Sequence, residues 1–347
     1  MRVVNFEGII RQAWEEYDAS RGVISVTDIS AKVSTNHVFR VKLENGGKVI
    51  AKLSYFGQYE HFVDDHTLIN ALANNLNAPY ERFLARSLMK GNSLYTYKYS
   101  DRDLSAWVVF YNAVCVKEKL PRVLNEFQVR RLGQEVAKFH KACFELKNIL
   151  PYWSKTITID IEYLLKIIES EDGQFEHRMH TDSIRYQCDL LFKNMEALGA
   201  NSLPAIPVFV DWNIGNFSVD EDLHFYSRWD YDWFRMSSRV MDFYFFSRVC
   251  SSVGDRTSFS YYVDPMMEER FLWFLEEYHQ IYPLTQTEIL FMKEAYRFFI
   301  LNYVIKDGRY FFHEIYASRL QNEAHTIHFP ELDKKFDAEK ILARLNC

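Results

Sequence analysis

The chain has 347 residues, 48% hydrophobic and 25% charged, enough apolar surface to offset the ordering entropy and so exclude a disordered protein. A formal net charge of −6 argues against a dedicated binder of nucleic acid or of anionic membrane. The longest uncharged apolar run, residues 106–116, falls well short of the roughly 20 residues that span a bilayer.

In chain order, residues 6–17 have helical spacing, and strands follow at 23–33, 37–43 and 48–53. The second and third are joined by Glu44-Asn45-Gly46-Gly47, a strong hairpin signal because both turn residues tolerate the left-handed backbone. A helix is expected at 61–75, with Phe62, Leu68, Ile69 and Leu72 on one face. Strands are expected at 82–89, 93–99 and 105–111, the first two separated by Lys90-Gly91-Asn92. Beyond residue 125 helical periodicity takes over. The clearest case is 126–146, with Leu132, Val136, Phe139 and Cys143 on one stripe. Further helices are expected at 159–169, 181–198, 238–249, 265–282 and 287–305. Residues 208–233 interrupt them with short strands and loops, the setting in which catalytic side chains tend to sit. The expectation is an α+β chain with a strand-rich part over 1–111 and a mainly helical part over 112–347.

The 28 Phe and 22 Tyr are read as core filling. Five scattered cysteines without CxxC spacing indicate neither a zinc ribbon nor a disulfide framework. The opening Met1-Arg2-Val3-Val4-Asn5-Phe6-Glu7 lacks the layout of a signal peptide. A cytoplasmic location is expected. Ser87-Leu88-Met89-Lys90 has the SxxK pattern but no SDN or KTG partner. Gly46-Gly47-Lys48 has Lys42 where a phosphate-binding loop needs glycine. The histidines form no metal-binding spacing.

What remains is a constellation. Asp211 and Asn216 are five apart, and nineteen residues after Asp211 comes Trp229-Asp230-Tyr231-Asp232. Phosphoryl transfer calls for a carboxylate facing the acceptor hydroxyl and for hard oxygen ligands to Mg²⁺. A loop Asp, an Asn five residues on and an Asp after the next hairpin supply that set.

With these residues the chain resembles the aminoglycoside phosphotransferase and choline kinase superfamily, the small-molecule kinases of the protein-kinase-like fold. That family runs His-Gly-Asp, four residues, Asn, a hairpin, Ile-Asp, and a further Asp in the next helix. The counterparts are Phe209-Val210-Asp211 through Asn216, then Trp229-Asp230-Tyr231-Asp232, then Asp242. Upstream, residues 132–140 resemble the family's Leu-Gly…His helix, Val49-Ile50-Ala51-Lys52-Leu53 its phosphate-lysine strand, and residues 34–41 its nucleotide-covering loop. The similarity extends from about residue 28 to 248.

The resemblance implies a two-lobed fold, with a nucleotide-binding lobe over 1–111 and a catalytic and substrate lobe over 112–347. It implies ATP and Mg²⁺ as cofactors and a small-molecule hydroxyl as acceptor. Asp211 becomes the catalytic base, with Asn216 and Asp230 as metal ligands. Lys52 faces the phosphates, paired with an acid on the following helix, for which Asp65 aligns best and Asp64 and Glu60 compete. Ser34 and Asn36 belong to the covering loop. The adenine-binding hinge falls near Val109-Phe110-Tyr111, through the backbone. Asp232 is either a supporting acceptor or a turn residue, Asp242 braces the loop, and His140 is structural. Trp212 and Trp233 are either core or substrate wall. Asp160, Glu162, Glu169 and Asp172 are candidates to meet a cationic acceptor, or else a solvated helix face. Phe209 for histidine, Val210 for glycine and Trp229 for a small aliphatic residue depart from the family pattern. A catalytically degenerate nucleotide binder is the alternative.

Overall fold

The computed structural model describes residues 4–31, 36–151, 155–254 and 260–347. Helix α1 (Phe6–Asp18) is capped by Asn5, whose side chain accepts from Gly8 N at 2.9 Å. It lies on an antiparallel sheet of β1 (Val23–Asp28), β2 (His37–Leu43), β3 (Lys48–Ser54), β6 (Thr96–Ser100) and β7 (Ser105–Asn112), in the order β1-β2-β3-β7-β6. Strand β1 is shorter than the pattern suggests because the Asp28 side chain turns the chain, accepting from Ser30 N at 2.8 Å. Alternation along the strands sorts the two faces. Val108 and Phe110 pack under α1 with Ile10 and Trp14, whereas Val109 and Tyr111 join the large core of the helical part. Register sets Ala51 opposite Phe110 and Lys52 opposite Val109. Lys52 is thereby on the face turned towards the helical part. Helix α2 (Tyr59–Asn75) buries Leu68, Ile69 and Leu72 in that same core.

The strand expected over 82–89 is not formed. Only a two-residue hairpin of β4 (Met89–Lys90) and β5 (Ser93–Leu94) survives. Residues 84–88 thread between the sheet and the helical part, and their backbone groups find scattered partners. Ala85 N donates to Arg228 O at 3.0 Å and Leu88 N to Phe110 O at 2.7 Å, so no ladder builds up.

The helical part centres on α3 (Glu126–Leu146), which opens with a reciprocal cap between Asn125 and Gln128. Around it lie α4 (Ile157–Ile167), α5 (Glu171–His177), α6 (Thr181–Leu198), α7 (Phe243–Cys250), α8 (Glu269–Ile281) and α9 (Gln286–Phe299). Helices α3 and α8 approach closely at Gly133, where a Cβ would stand 2.4 Å from the Phe274 carbonyl oxygen. Helix α9 continues as a π-helix, Ile300–Lys306. The chain then adds α10 (Gly308–Phe311), α11 (Glu314–Glu323), α12 (Phe329–Lys335) and α13 (Ala338–Leu345), which sequence periodicity left unassigned. The aromatic excess does fill the core: Phe83, Phe139, Trp212 and Phe225 contact one another and are all buried. Among the described residues no helix is long and apolar enough to cross a membrane.

Candidate active site

Two small ladders bring the constellation together. Strand β8 (Ile206–Val208) pairs with β11 (Arg235–Ser237), and β9 (Phe217–Val219) pairs with β10 (Phe225–Arg228). The loop 209–216 leaves β8, the hairpin returns the chain beside it, and residues 229–234 lead back to β11. Trp229 N donates to Asn216 O at 3.0 Å, which fastens the segment carrying Asp230 to the one carrying Asn216.

The loop is held under strain. Val210 has φ of 59° and Asp230 of 66°, the left-handed region that a β-branched residue rarely enters. Asp242, fully buried at the head of α7, accepts from Phe209 N at 3.0 Å and Val210 N at 2.7 Å through Oδ1. Its Oδ2 faces His140 Nε2 at 3.0 Å, and His140 Nδ1 faces the Tyr278 hydroxyl at 2.8 Å. Asp242 braces the loop, as its position in sequence suggests, and His140, six residues inside the end of α3, supports Asp242. Phe209 packs against Trp212, Tyr231 and Phe234.

The Asp211 carboxylate accepts from Asn213 N at 3.1 Å and Asn213 Nδ2 at 2.5 Å. Its carbonyl accepts from Arg228 Nη2 at 2.8 Å and from Asn216 Nδ2 at 3.5 Å. Arg228 was not singled out from the sequence, although a charged residue closing a short buried strand just ahead of Asp230 was a usable signal.

Lys52, only 4% exposed, reaches across from β3 to Asp232 and, at 3.4 Å, to Asp230. Asn36 Nδ2 donates to the other Asp232 oxygen at 2.7 Å. Asp232 therefore lies where the sheet meets the helical part. Burial raises its pKa to about 6, helped by the neighbouring Asp230 charge against the pull of Lys52. Burial also works against the Asp230 charge, but Lys52 and Arg228 outweigh it and hold that carboxyl below the usual range. For Lys52, the two carboxylates overcome desolvation and raise its pKa.

One expectation is corrected here. Asp65 does not pair with Lys52; it binds Lys155 Nζ at 2.6 Å. The shorter aspartate on α2 is taken by a lysine of the helical part, and Lys52 is left to the carboxylates of residues 230 and 232. At Phe110 and Tyr111, where the base-binding backbone was expected, the structure shows the strand paired on both sides. Phe110 turns its ring to Trp14 at 5.2 Å, and its carbonyl is used by Leu88. Tyr111 is bridged to Ser87, and Asn112 N donates to Arg86 O at 2.9 Å. Both edges of this stretch are thus occupied. Ser34 lies outside the described residues.

The donor chemistry fits Mg²⁺. Asn216 fixes its amide through Nδ2, its Oδ1 takes no hydrogen bond among the described residues, and Asp230 follows Trp229, whose N–H is bonded to the Asn216 backbone carbonyl. The ammonium of Lys52 drawn between two carboxylates shows that this place favours a cation. The described residues hold no cluster of three His, Cys, Asp or Glu side chains arranged for a metal. An ion here would depend on one or two protein oxygens plus phosphate, which is how Mg²⁺ is commonly held.

Next to Asp232 opens a cavity of about 480 Å³ between α2, α4 and the 302–311 segment. Trp233, Tyr303 and Phe311 line it, whereas Trp212 is wholly core. Asp160 lines it too, but Arg235 Nη2 at 3.0 Å and Lys306 Nζ at 3.4 Å neutralise it. These cations outweigh the burial penalty and keep its carboxyl below the usual range. Glu169 pairs with Arg185 at 3.4 Å and Asp172 sits in the first turn of α5. Of the four acids proposed for a cationic acceptor, Glu162 is the one that reaches the cavity without a salt bridge among the described residues.

No family model and no curated protein matches this sequence. Solved structures do. An amicoumacin kinase, hAmiN, in complex with AMP-PNP, Ca²⁺ and Ami superposes with a TM-score of 0.61 at 14% identity, covering 97% of this chain and 100% of the other. The GDP complex of aminoglycoside 2'-phosphotransferase-IIIa gives 0.58 at 12%, covering 96% and 100%. Choline kinase LicA from Streptococcus pneumoniae gives 0.57 at 12%, covering 95% and 100%. The chain has the protein-kinase-like fold of the small-molecule kinases. Within this fold, Lys52 of the sheet meets Asp230 and Asp232 of the segment that follows the Asp211–Asn216 loop and its hairpin.

Proposed function

We propose that the chain is an ATP- and Mg²⁺-dependent phosphotransferase that moves the γ-phosphoryl group to a hydroxyl of a small molecule, in the cytoplasm. The observation that carries this reading is the meeting of Lys52 from the sheet with Asp230 and Asp232 from the helical part, beside the Asp211 loop. The strand-rich part is read as the nucleotide-binding lobe and the helical part as the catalytic and substrate lobe. The kinase neighbours support phosphotransfer at the general level.

In this reading Asp211 orients the acceptor hydroxyl and takes its proton at the carboxylate that Asn213 holds. Lys52 exchanges its carboxylate partners for phosphate oxygens. Asn216 and Asp230 supply the protein oxygens for Mg²⁺, which would neutralise phosphate charge when bound. Positioning and charge neutralisation supply most of the acceleration. The acceptor enters the cavity beside Asp232; amino sugars, aminoglycosides, choline-like alcohols and amino-acid alcohols are the candidate classes. The acceptor need not be cationic, since Asp160 is already neutralised by Arg235 and Lys306.

The test is ADP formation from MgATP across a library of alcohols, sugars and aminoglycosides, with thermal stabilisation by ATP alone and by MgATP measured alongside. Stabilisation by MgATP together with ADP formed on one acceptor class is expected. The pairing of Lys52 with Asp232, and Phe209 ahead of Asp211, favour one alternative: a nucleotide-binding regulator without turnover. MgATP binding with no ADP from any acceptor would select that alternative. No nucleotide binding at all would defeat both.

A further inference from the structure

We propose that Arg228 is a positioning residue for Asp211, holding the peptide of the proton acceptor in place; this rests on the phosphotransfer reading above. Arg228 is 0% exposed. Its guanidinium lies 4.5 Å over the Phe209 ring and 4.2 Å over the Trp212 ring, the two aromatics that flank Val210 and Asp211 in sequence. From that slot Nη2 donates to the Asp211 carbonyl oxygen at 2.8 Å. Nε and Nη1 have no hydrogen-bond partner among the described residues.

A buried guanidinium with one hydrogen bond and two idle nitrogens is a poor way to stabilise a core. Burying a charge without full hydrogen bonding is costly, and an apolar side chain of similar volume is often at least as stable in such a place. What an apolar side chain cannot do is hold a carbonyl. The loop is thus gripped at successive peptides by different groups. Asp242 takes the N–H of residues 209 and 210, and Arg228 gives an N–H to the carbonyl of 211. Asn213 then fixes the carboxylate itself. The backbone of Arg228 is bonded in turn to the segment that crosses to the sheet, through Phe83 O at 2.6 Å and Ala85 N at 3.0 Å. Arg228 therefore references Asp211 to the crossing segment as well as to its own loop.

The test is steady-state ADP formation by the full chain, with MgATP as substrate and water as acceptor, beside calorimetric MgATP binding and a melting curve. Arg228→Met should lower kcat about 100-fold, the usual cost of a displacement near 1 Å at a reacting group. The KM for MgATP and the calorimetric Kd should stay close to wild type. Arg228→Lys should recover part of the loss, since it keeps the charge and a donor but not the planar stack. If Arg228→Met does not fold, Arg228→Lys is decisive: a lowered kcat at unchanged MgATP affinity supports the role, and full turnover overturns it. Full turnover by Arg228→Met also overturns it. So does a fall in kcat matched by an equal loss of MgATP affinity, which would show general destabilisation. A wild-type protein that neither binds MgATP nor forms ADP overturns the phosphotransfer reading and this inference with it.

Discussion

Removing the Asp242 carboxylate tests the mechanism that holds the active-site loop. In Asp242→Ala three buried donors lose their acceptor: the N–H groups of Phe209 and Val210, at 3.0 and 2.7 Å, and His140 Nε2 at 3.0 Å. Each unsatisfied buried donor costs about 1–3 kcal/mol, or about 6 kcal/mol together at the centre of that range. Some of this returns, because Val210 stores about 2 kcal/mol in its left-handed backbone and the freed loop can relax. The net loss expected is about 4 kcal/mol, a large part of a typical 5–15 kcal/mol stability. Asp242→Asn keeps an oxygen for the two N–H groups. His140 can accept from the new amide by changing tautomer and donating to the Tyr278 hydroxyl through Nδ1. Only the charge assistance is then lost, about 1 kcal/mol for each of the three bonds, which is still less than the loss in alanine. Equilibrium urea unfolding of wild type and both variants separates the cases, since their midpoints should fall in the order wild type, Asn, Ala. An alanine variant no less stable than the asparagine variant would refute the reasoning.

Asp211→Asn keeps shape but removes the proton acceptor, so kcat for ADP formation should fall about 10²–10⁴-fold with MgATP affinity preserved; unchanged turnover on the true acceptor would dismiss the assignment. Asp230→Asn, chosen because asparagine tolerates the left-handed φ of 66°, should erase the extra thermal stabilisation that Mg²⁺ adds to ATP, and an intact increment would exclude Asp230 as a ligand. His66 titrates far below normal, at about 3, because burial disfavours its charge and Lys52 repels it. The unfolded chain takes up that proton below about pH 6.5 while the folded chain refuses it, so stability falls as pH drops from 6.5 towards 3, by about 2 kcal/mol at pH 5. His66→Gln should flatten that acid limb in denaturation curves, and an unaltered limb would show that His66 does not set it.

Local signals carried the fold and the core of the site. The Asn45-Gly46 turn, the alternation along residues 48–53, the apolar run of 105–111 and the apolar stripe of 126–146 each depend on neighbours in sequence, and each element formed. The spacing of Asp211, Asn216 and Asp230 was readable for the same reason, because one hairpin separates them. What was not readable depended on where distant segments meet. Residues 82–89 have the composition of a strand, yet they cross between sheet and helices and are bonded piecemeal to Arg228, Phe110 and Asn112. The partner of Asp65 is Lys155, 90 positions away, and no periodicity announces such a pair. The closure of the far edge of β7 by Arg86 and Leu88, which bond to Asn112 and Phe110, likewise has no local signal.

The departures at residues 209 and 210 bear on what such a loop requires. Val210 stands where the kinase family that the sequence resembles has glycine, and Phe209 where that family has histidine, so neither a permissive backbone nor a histidine brace is present. Neither group performs transfer chemistry; each serves to hold a backbone conformation. In this chain other residues take over the holding. Asp242 binds the two N–H groups that lead into the strained turn, the Phe209 ring packs among Trp212, Tyr231 and Phe234, and Arg228 supplies the polar contact from β10. The groups that would touch nucleotide, metal or hydroxyl are Lys52, Asp211, Asn216 and Asp230, and each keeps the residue type its task demands. A site can therefore change its scaffolding residues freely so long as the same peptides remain gripped, and the residues worth comparing between such chains are the pairs that share one grip, here Phe209 with Arg228.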